Sequence, residues 1–483
     1  MIRRWLPALV ATIAFTLPAA IGAQSALDRK KIPPPGKTPE LRVPSWTRAT
    51  LANGAELIVS EKHDLPLVSF TVTFLGGSNQ FEPADRTGLA SLAASMLSEG
   101  TKTRDGEALS NALQLLGTSV STSIASEGGS IGFVSTSAKF APTLDVLADM
   151  LLNPVFPAEA LERLRAQRLV ALTQARAQPG AIAGRVFPRV LYGTSHPYGR
   201  MTTEASLKAI TRDDIVKFHG EYFQPGRALI TVVGDVTMAT ARPTIEKALA
   251  AWSKAGNKPA FTYPDVPARD RRVIYLVDRP GAAQSTVAIG LPGPPRNTPD
   301  YYAIQVMNTM LGGMFQSRLN ANIREEKGYS YGVSSGFSYG KGPGPFRTGG
   351  DIVGDKTDAA LVEFMKELRG ILGERPITDA ELQTAKESLV QRLPSTFASV
   401  AAINGALTSL WSQGLADDYY QQYARAIAAV TKDDVLRVAK NYIDVDKLAI
   451  VVVGDRKSIE APLAATKIAP IEYLDIEGAP KPQ

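Results

Sequence analysis

Cysteine does not occur in the 483 residues, so the chain has neither a disulfide framework nor a thiolate metal site. The absence leaves the compartment open, because exported proteins of this size often need no disulfide. Histidine is nearly as scarce. His63, His196 and His219 are scattered over separate stretches with no ligand spacing between them. His196, in GTSHPYGR (193–200), stands before Pro197, where a loop-ordering role fits better than metal binding. No dense basic run is present either. The net charge of +6 is spread along the chain, which reads as solvated surface and gives no reason to expect nucleic acid as a partner. FSYGKGPGPFRTGG (337–350) is Gly-rich but lacks the Lys-Ser/Thr ending of a phosphate loop, so it reads as a hairpin tip.

What is present suits two or three globular domains, with ordinary apolar content and ordinary glycine and proline. Residues 1–23 read as an export signal. Met1-Ile2-Arg3-Arg4-Trp5 is basic, Leu6 to Gly22 is apolar, and Ala23 is small enough for cleavage. The alternative, an uncleaved anchor, is disfavoured by Pro7, Pro18 and the short span. No cysteine follows for a lipid anchor, so the expectation is an exported, periplasmic protein of a bacterium with no stable membrane anchor. Residues 24–45 are polar and Pro-rich, an extended leader.

From Thr50 the pattern becomes strand-like. TLANGAELIVSE carries the hairpin signal Asn53-Gly54. LVSFTVTF alternates Val68, Phe70, Val72 and Phe74 against Ser and Thr, as a half-buried strand does. Within Asp85–Thr101, Leu89, Leu92, Ala93, Met96 and Leu97 make the apolar face of a helix, and Ser91, Ala94, Ser95 and Ser98 the stripe beside it. Glu82, Asp85 and Glu99 flank its ends and read as caps and solvated charge. Further helices are expected near 106–116, 140–153 and 157–177, with strands over about 118–136 and within 225–236.

The second half repeats the first. TRDDIVKFHGEYFQPGRALITVVGD (211–235) aligns without a gap on TKDDVLRVAKNYIDVDKLAIVVVGD (431–455). Pro154, Ala158 and Glu159 recur as Pro376, Ala380 and Glu381, and Met96-Leu97 as Met310-Leu311, at nearly the same offset. Three stretches in one order argue for two copies of one domain, at 46–253 and 273–475, joined by a polar linker at 254–272. Strands joined by short turns and mixed with several helices predict an α+β class. Each copy is expected to be a mainly antiparallel sheet with helices packed on it.

The 85–101 stretch, DRTGLASLAASMLSEGT, resembles the active-site helix of the pitrilysin/insulinase-type zinc peptidases, the inverzincins, where a G-x-A lead-in precedes H-x-x-E-H. The likeness runs from about residue 47 to 470. EPADRTGLA and the run from LYGTSHPYGR to VVGDV are among its most specific parts. Laid onto Gly88-Leu89-Ala90, the motif places its metal-binding histidines at Ser91 and Ser95 and its general base at Ala94. The family's third ligand, a Glu further downstream, falls on Ala171. Serine and alanine supply no imidazole, thiolate or carboxylate lone pairs. The resemblance therefore implies a zinc-peptidase fold of two related domains arranged like half a clam shell, in dimers that enclose a chamber. The residues predict that this chain itself binds no zinc or other cofactor. Ser91 and Ser95 are not nucleophile candidates, because no G-x-S-x-G turn surrounds them and no His lies nearby.

LGGMFQSRLNANIREEKGYSYGVSSGF (311–337) resembles the family's C-terminal substrate-binding segment, and Arg324 and Tyr331 have the spacing of its Arg–Tyr pair. A guanidinium and a phenol suit a carbonyl oxygen on which negative charge develops. By spacing alone, Arg324, Glu325, Glu326 and Lys327 read as a solvated helix end and Tyr331 as an ordinary strand residue; the resemblance gives the pair a substrate-facing role instead. Some family members divide the work between two chains, one with the metal motif and one with the Arg–Tyr pair, and this sequence is similar to the second. The expectation is a non-catalytic subunit of a heterodimeric zinc metalloendopeptidase, with zinc in the partner and peptide as substrate. The rival is a stand-alone pseudopeptidase that binds peptides or scaffolds an assembly.

Overall fold

In the computed structural model, which describes residues 41–482, the alternating stretches of the first half form one six-stranded sheet. Its strands are β1 (Thr47–Thr50), β2 (Glu56–Glu61), β3 (Leu67–Leu75), β4 (Ser121–Ile124), β5 (Gly128–Thr136) and β6 (Ala228–Gly234). They lie in the order β1-β2-β6-β3-β5-β4. β1 and β2 pair as the expected hairpin, with Gly54 at φ +92° in its turn, a conformation that favours a residue without Cβ. The single strand expected over 118–136 is two. Ala125 N–H bonds back to the Gly128 carbonyl at 2.8 Å, closing a turn that folds β4 onto β5.

The second half builds β7 (Val273–Asp278), β8 (Gln284–Pro292), β9 (Ser330–Phe337), β10 (Pro345–Val353), β11 (Ala449–Gly454) and β12 (Ile471–Leu474), ordered β12-β7-β11-β8-β10-β9. The two orders match over five strands, β2-β6-β3-β5-β4 on β7-β11-β8-β10-β9. The outer edge differs: β1 comes from the start of the first half, β12 from the end of the second. Both sheets are mixed, since β2 runs parallel to β6 and β7 parallel to β11 and β12. The class is α+β, with helices packed on each sheet. The internal repeat has a structural basis at Thr211 and Thr431. Each hydroxyl accepts from the backbone N–H three residues on, and Asp214 and Asp434 bond back, so both helices start with the same capping box.

Leu92, Met96 and Leu97 of the Leu89–Met96 helix and its C-cap are fully buried in one cluster with Phe70 and Phe74, as the apolar face requires. Two other helices change sides. Pro179–Tyr192, from the first half, lays Ile182, Val186 and Phe187 against Val277, Ala288 and Val451 of the second sheet. Its counterpart Val400–Gln413, from the second half, lays Ile403, Leu407 and Leu410 against Ile58, Leu229 and Val233 of the first. Asn404 completes that contact by donating to the carbonyls of Ser69 (3.2 Å) and Thr231 (3.0 Å). Residues 254–272 carry no helix or strand, and Tyr263 among them packs on Tyr198 at 4.8 Å between ring centroids. Among the described residues no helix is long and apolar enough to cross a membrane. The export signal expected at 1–23 and most of the 24–45 leader lie outside the described residues.

Candidate functional site

Arg324 and Tyr331 come together at the free edge of the second sheet. The chain leaves the Asn320–Glu326 helical turn through Gly328, at φ +65°, with Gly328 N–H bonded to the Arg324 carbonyl and Tyr329 N–H to that of Ile323. That reversal carries the backbone into β9. Asn320 Oδ1 then accepts from Val333 N–H at 2.9 Å, fixing the helical turn against the strand. The Arg324 guanidinium carbon lies 4.3 Å from the Phe315 ring centroid and 5.2 Å from that of Tyr331, so two aromatic faces bracket it. Tyr331 is 90% exposed and Phe315 61%. Sequence reasoning gave Phe315 no role, and nothing in its local pattern marks it. β9 is an outer strand, with β10 on one side only.

The positions of the metal motif lie on the other half and hold different chemistry. Ser91 Oγ donates to the Gly88 carbonyl and Ser95 Oγ to that of Ser91, each at 3.0 Å, so both hydroxyls turn back onto their own helix. Ala94 is buried and Ala171, on the Ala158–Ala175 helix, is exposed. Arg168, one turn before Ala171, donates to Ser95 Oγ at 3.0 Å. Among the described residues no three His, Cys, Asp or Glu side chains stand close enough to hold a metal ion. Two hydroxyls, two methyls and an incoming guanidinium do not fit a zinc ion.

The histidines are placed separately. His63 is exposed, with Nδ1 2.9 Å from Asp235 and Nε2 3.3 Å from Glu61, and these carboxylates raise its pKa. His219 is held below its ordinary value by burial, with Nε2 2.8 Å from the Leu151 carbonyl. His196 Nδ1 accepts from Tyr198 N–H, the loop-ordering role expected of it. Glu82 corrects one expectation. It does cap the Leu89–Met96 helix, accepting from Gly88 N–H (3.0 Å) and Ala90 N–H (2.7 Å), but it is half-buried rather than a freely solvated charge. Burial pushes its pKa up to about 7, outweighing those N–H groups and Arg200.

Between the first sheet and segments of the second half lies a cavity of about 1390 Å³, walled on that side by the Val400–Gln413 helix and by residues around Arg296 and Gly340. Its floor is the face of β3, β4 and β5 that carries Thr71, Ser121 and Ser130 beside Gly128 and Gly132, and Arg296 and Lys341 also line it. Neither Arg324 nor Tyr331 does. The Gly-rich turn between β9 and β10 reaches one end of it, as a hairpin tip. There Glu127 accepts from Lys341 N–H at 2.7 Å and from the Tyr198 hydroxyl, while Gly342 N–H donates to Tyr198 Oη at 3.2 Å.

Two family models match the chain in succession. "Insulinase (Peptidase family M16)" covers residues 57–198 and "Peptidase M16 inactive domain" residues 209–389. Among curated proteins, an uncharacterised zinc protease of Streptomyces coelicolor is 25% identical over 428 residues, 86% of this chain and 90% of the relative. A protein named non-peptidase homolog YmxG, of Helicobacter pylori, is 24% identical over 405 residues, 83% of this chain and 92% of the relative. Among solved structures, a peptidase M16 inactive domain from Pseudomonas fluorescens superposes with TM-score 0.77 at 28% identity, covering 85% of this chain and 98% of that one. The periplasmic protease PqqL of Escherichia coli gives 0.71 at 16%, covering 85% of this chain and 45% of that one.

Proposed function

Because the chain belongs to the M16, or insulinase, family of peptidases yet carries no metal-binding side chain at the positions of the family motif, we propose that it is the non-catalytic, substrate-binding subunit of a heterodimeric zinc metalloendopeptidase acting on peptides or unfolded polypeptides. The observation that carries this reading is the Arg324–Tyr331 pair, ordered by Phe315 yet left open on an edge strand. A guanidinium edge and a phenol held on an open surface need a surface from another molecule to enclose their ligand. In the proposed complex the partner chain carries H-x-x-E-H and its zinc. Arg324 and Tyr331 direct their donors at the carbonyl oxygen of the bond under attack, where charge builds up. The site works outside the cytoplasm, in line with the periplasmic location named for the Escherichia coli neighbour.

The isolated chain should be inactive on peptides, and a cognate partner should gain activity when it is added. Arg324→Ala or Tyr331→Phe should lower the mixture's kcat about a hundredfold, with the complex still eluting as one species in gel filtration. Unchanged turnover in both variants would remove the pair from catalysis. The name of the Helicobacter pylori relative favours a second reading, a pseudopeptidase that binds or scaffolds without taking part in proteolysis. Affinity capture from the source cells separates the two, since a scaffold recovers partners that lack H-x-x-E-H.

A further inference from the structure

Arg296 is ordered but unclaimed. Its guanidinium carbon lies 3.5 Å from the Tyr301 ring centroid and 5.4 Å from that of Tyr419, so one face is stacked and only the in-plane edge remains for an acceptor. Among the described residues no carboxylate pairs with it, and its side-chain N–H groups meet no protein acceptor. Arg296 lines the 1390 Å³ cavity on the first sheet, which Lys341, a second cation without a carboxylate partner, also lines. Glu127 is the acidic group in the same wall, and it is already engaged by Tyr198 and the Lys341 backbone.

We propose that this cavity binds an oligopeptide whose free carboxylate sits on Arg296. The chemistry of each wall points the same way. The flat guanidinium fork matches a carboxylate through two parallel N–H···O bonds, and one ordered guanidinium balances one negative charge. The floor of serine and threonine hydroxyls offers both donors and acceptors, which is what the alternating N–H and C=O groups of a peptide require. Glycines at 128 and 132 leave that floor without side-chain bulk. The volume exceeds the ~300–1,000 Å³ of small-molecule pockets, leaving room for several residues of extended chain. The proposal deepens the substrate-binding reading by naming a carboxylate anchor, and it uses none of the atoms of the Arg324–Tyr331 pair.

The test is isothermal titration of the full chain, without partner, against N-acetyl-penta-alanine as the free acid and as the C-terminal amide. The acid should bind, and the amide about tenfold or more weakly, as loss of a charge-assisted pair requires. Arg296→Gln should bring the acid down to the amide's affinity, and Arg296→Lys, which keeps the charge but not the fork, should fall between them. The acid–amide comparison needs no variant, so it decides the matter even where Arg296→Gln folds poorly. Equal affinity of acid and amide, or binding of neither, would overturn the proposal. Acetate binding as tightly as the peptide would overturn its peptide part. The assay reads no turnover, so its failure leaves the Arg324–Tyr331 reading standing, and failure of that reading leaves this one.

Discussion

Ser95 and Arg168 show that the motif positions have been refilled rather than merely emptied. A guanidinium on Ser95 Oγ places a positive charge where a second cation would have to enter. Ser91→His, Ala94→Glu, Ser95→His and Ala171→Glu together restore the donor set, but zinc then competes with Arg168. Adding Arg168→Ala should raise zinc affinity about tenfold or more, since ~1.4 kcal/mol of relieved repulsion already gives that factor. Metal analysis after dialysis against graded zinc measures it, and equal occupancy in the two variants would acquit Arg168. Glu82 supports a prediction of another kind. Its pKa is raised, to about 7, so the folded chain holds this proton more tightly than the unfolded one. The associated stability is fully present below the ordinary carboxylate range and is lost as pH rises through about 7. Wild type should therefore lose on the order of 2 kcal/mol between about pH 5 and pH 8 relative to Glu82→Gln. Parallel urea melts of the two proteins at those pH values check this, and curves with the same pH slope would place the proton elsewhere.

At the scale of the element, the exchanged helices explain why Asn404 is asparagine. It sits 3% exposed on the Val400–Gln413 helix, and its amide satisfies two carbonyls of the first sheet, on β3 and β6. Asn404→Ala leaves both oxygens buried without that donor and should cost about 2 kcal/mol in urea unfolding. A loss below about 0.5 kcal/mol would mean that water reaches them. Much of the rest was legible in local pattern. The period-two run of β3, the Asn53-Gly54 hairpin, the face of Leu89–Met96 and the repeat of 211–235 in 431–455 each carry their own signal. The exchange was not legible, for two reasons. Pro179, Gly180, Gly184 and Pro188 interrupt the helical reading of Pro179–Tyr192. Its apolar face also packs on strands that come roughly a hundred (β8) to more than two hundred and fifty (β11) residues later in the chain, a fact no local window contains. The candidate site divides the same way. The motif positions and the Arg324–Tyr331 spacing can be read along the chain, whereas Phe315, Arg168 and Arg296 gain meaning only from rings and hydroxyls brought up by folding.

For the whole molecule, the question is what holds the two halves at one spacing around the cavity. The exchanged helices tie them by apolar burial, and at the hairpin end the tie is polar: Glu127 of the first half, Tyr198, and the backbone N–H groups of Lys341 and Gly342 from the second. Gly340 makes that approach possible. A Cβ there would stand 2.7 Å from both Glu127 Oε1 and Tyr198 Oη, too close for either to keep its place. Both neighbours are side-chain ends that can swing away, so Gly340→Ala should leave the fold intact and open the latch. Amide exchange at Lys341 and Gly342 should then speed up about tenfold, as loss of ~1.4 kcal/mol of local protection implies, while the sheet cores keep their protection. Tyr198→Phe tests the same joint without steric strain, since it removes the hydroxyl that both Glu127 and Gly342 use. Faster exchange in both variants, confined to this turn, identifies a polar latch on the cavity. Exchange unchanged in Tyr198→Phe would mean that the apolar exchange of helices alone sets the spacing.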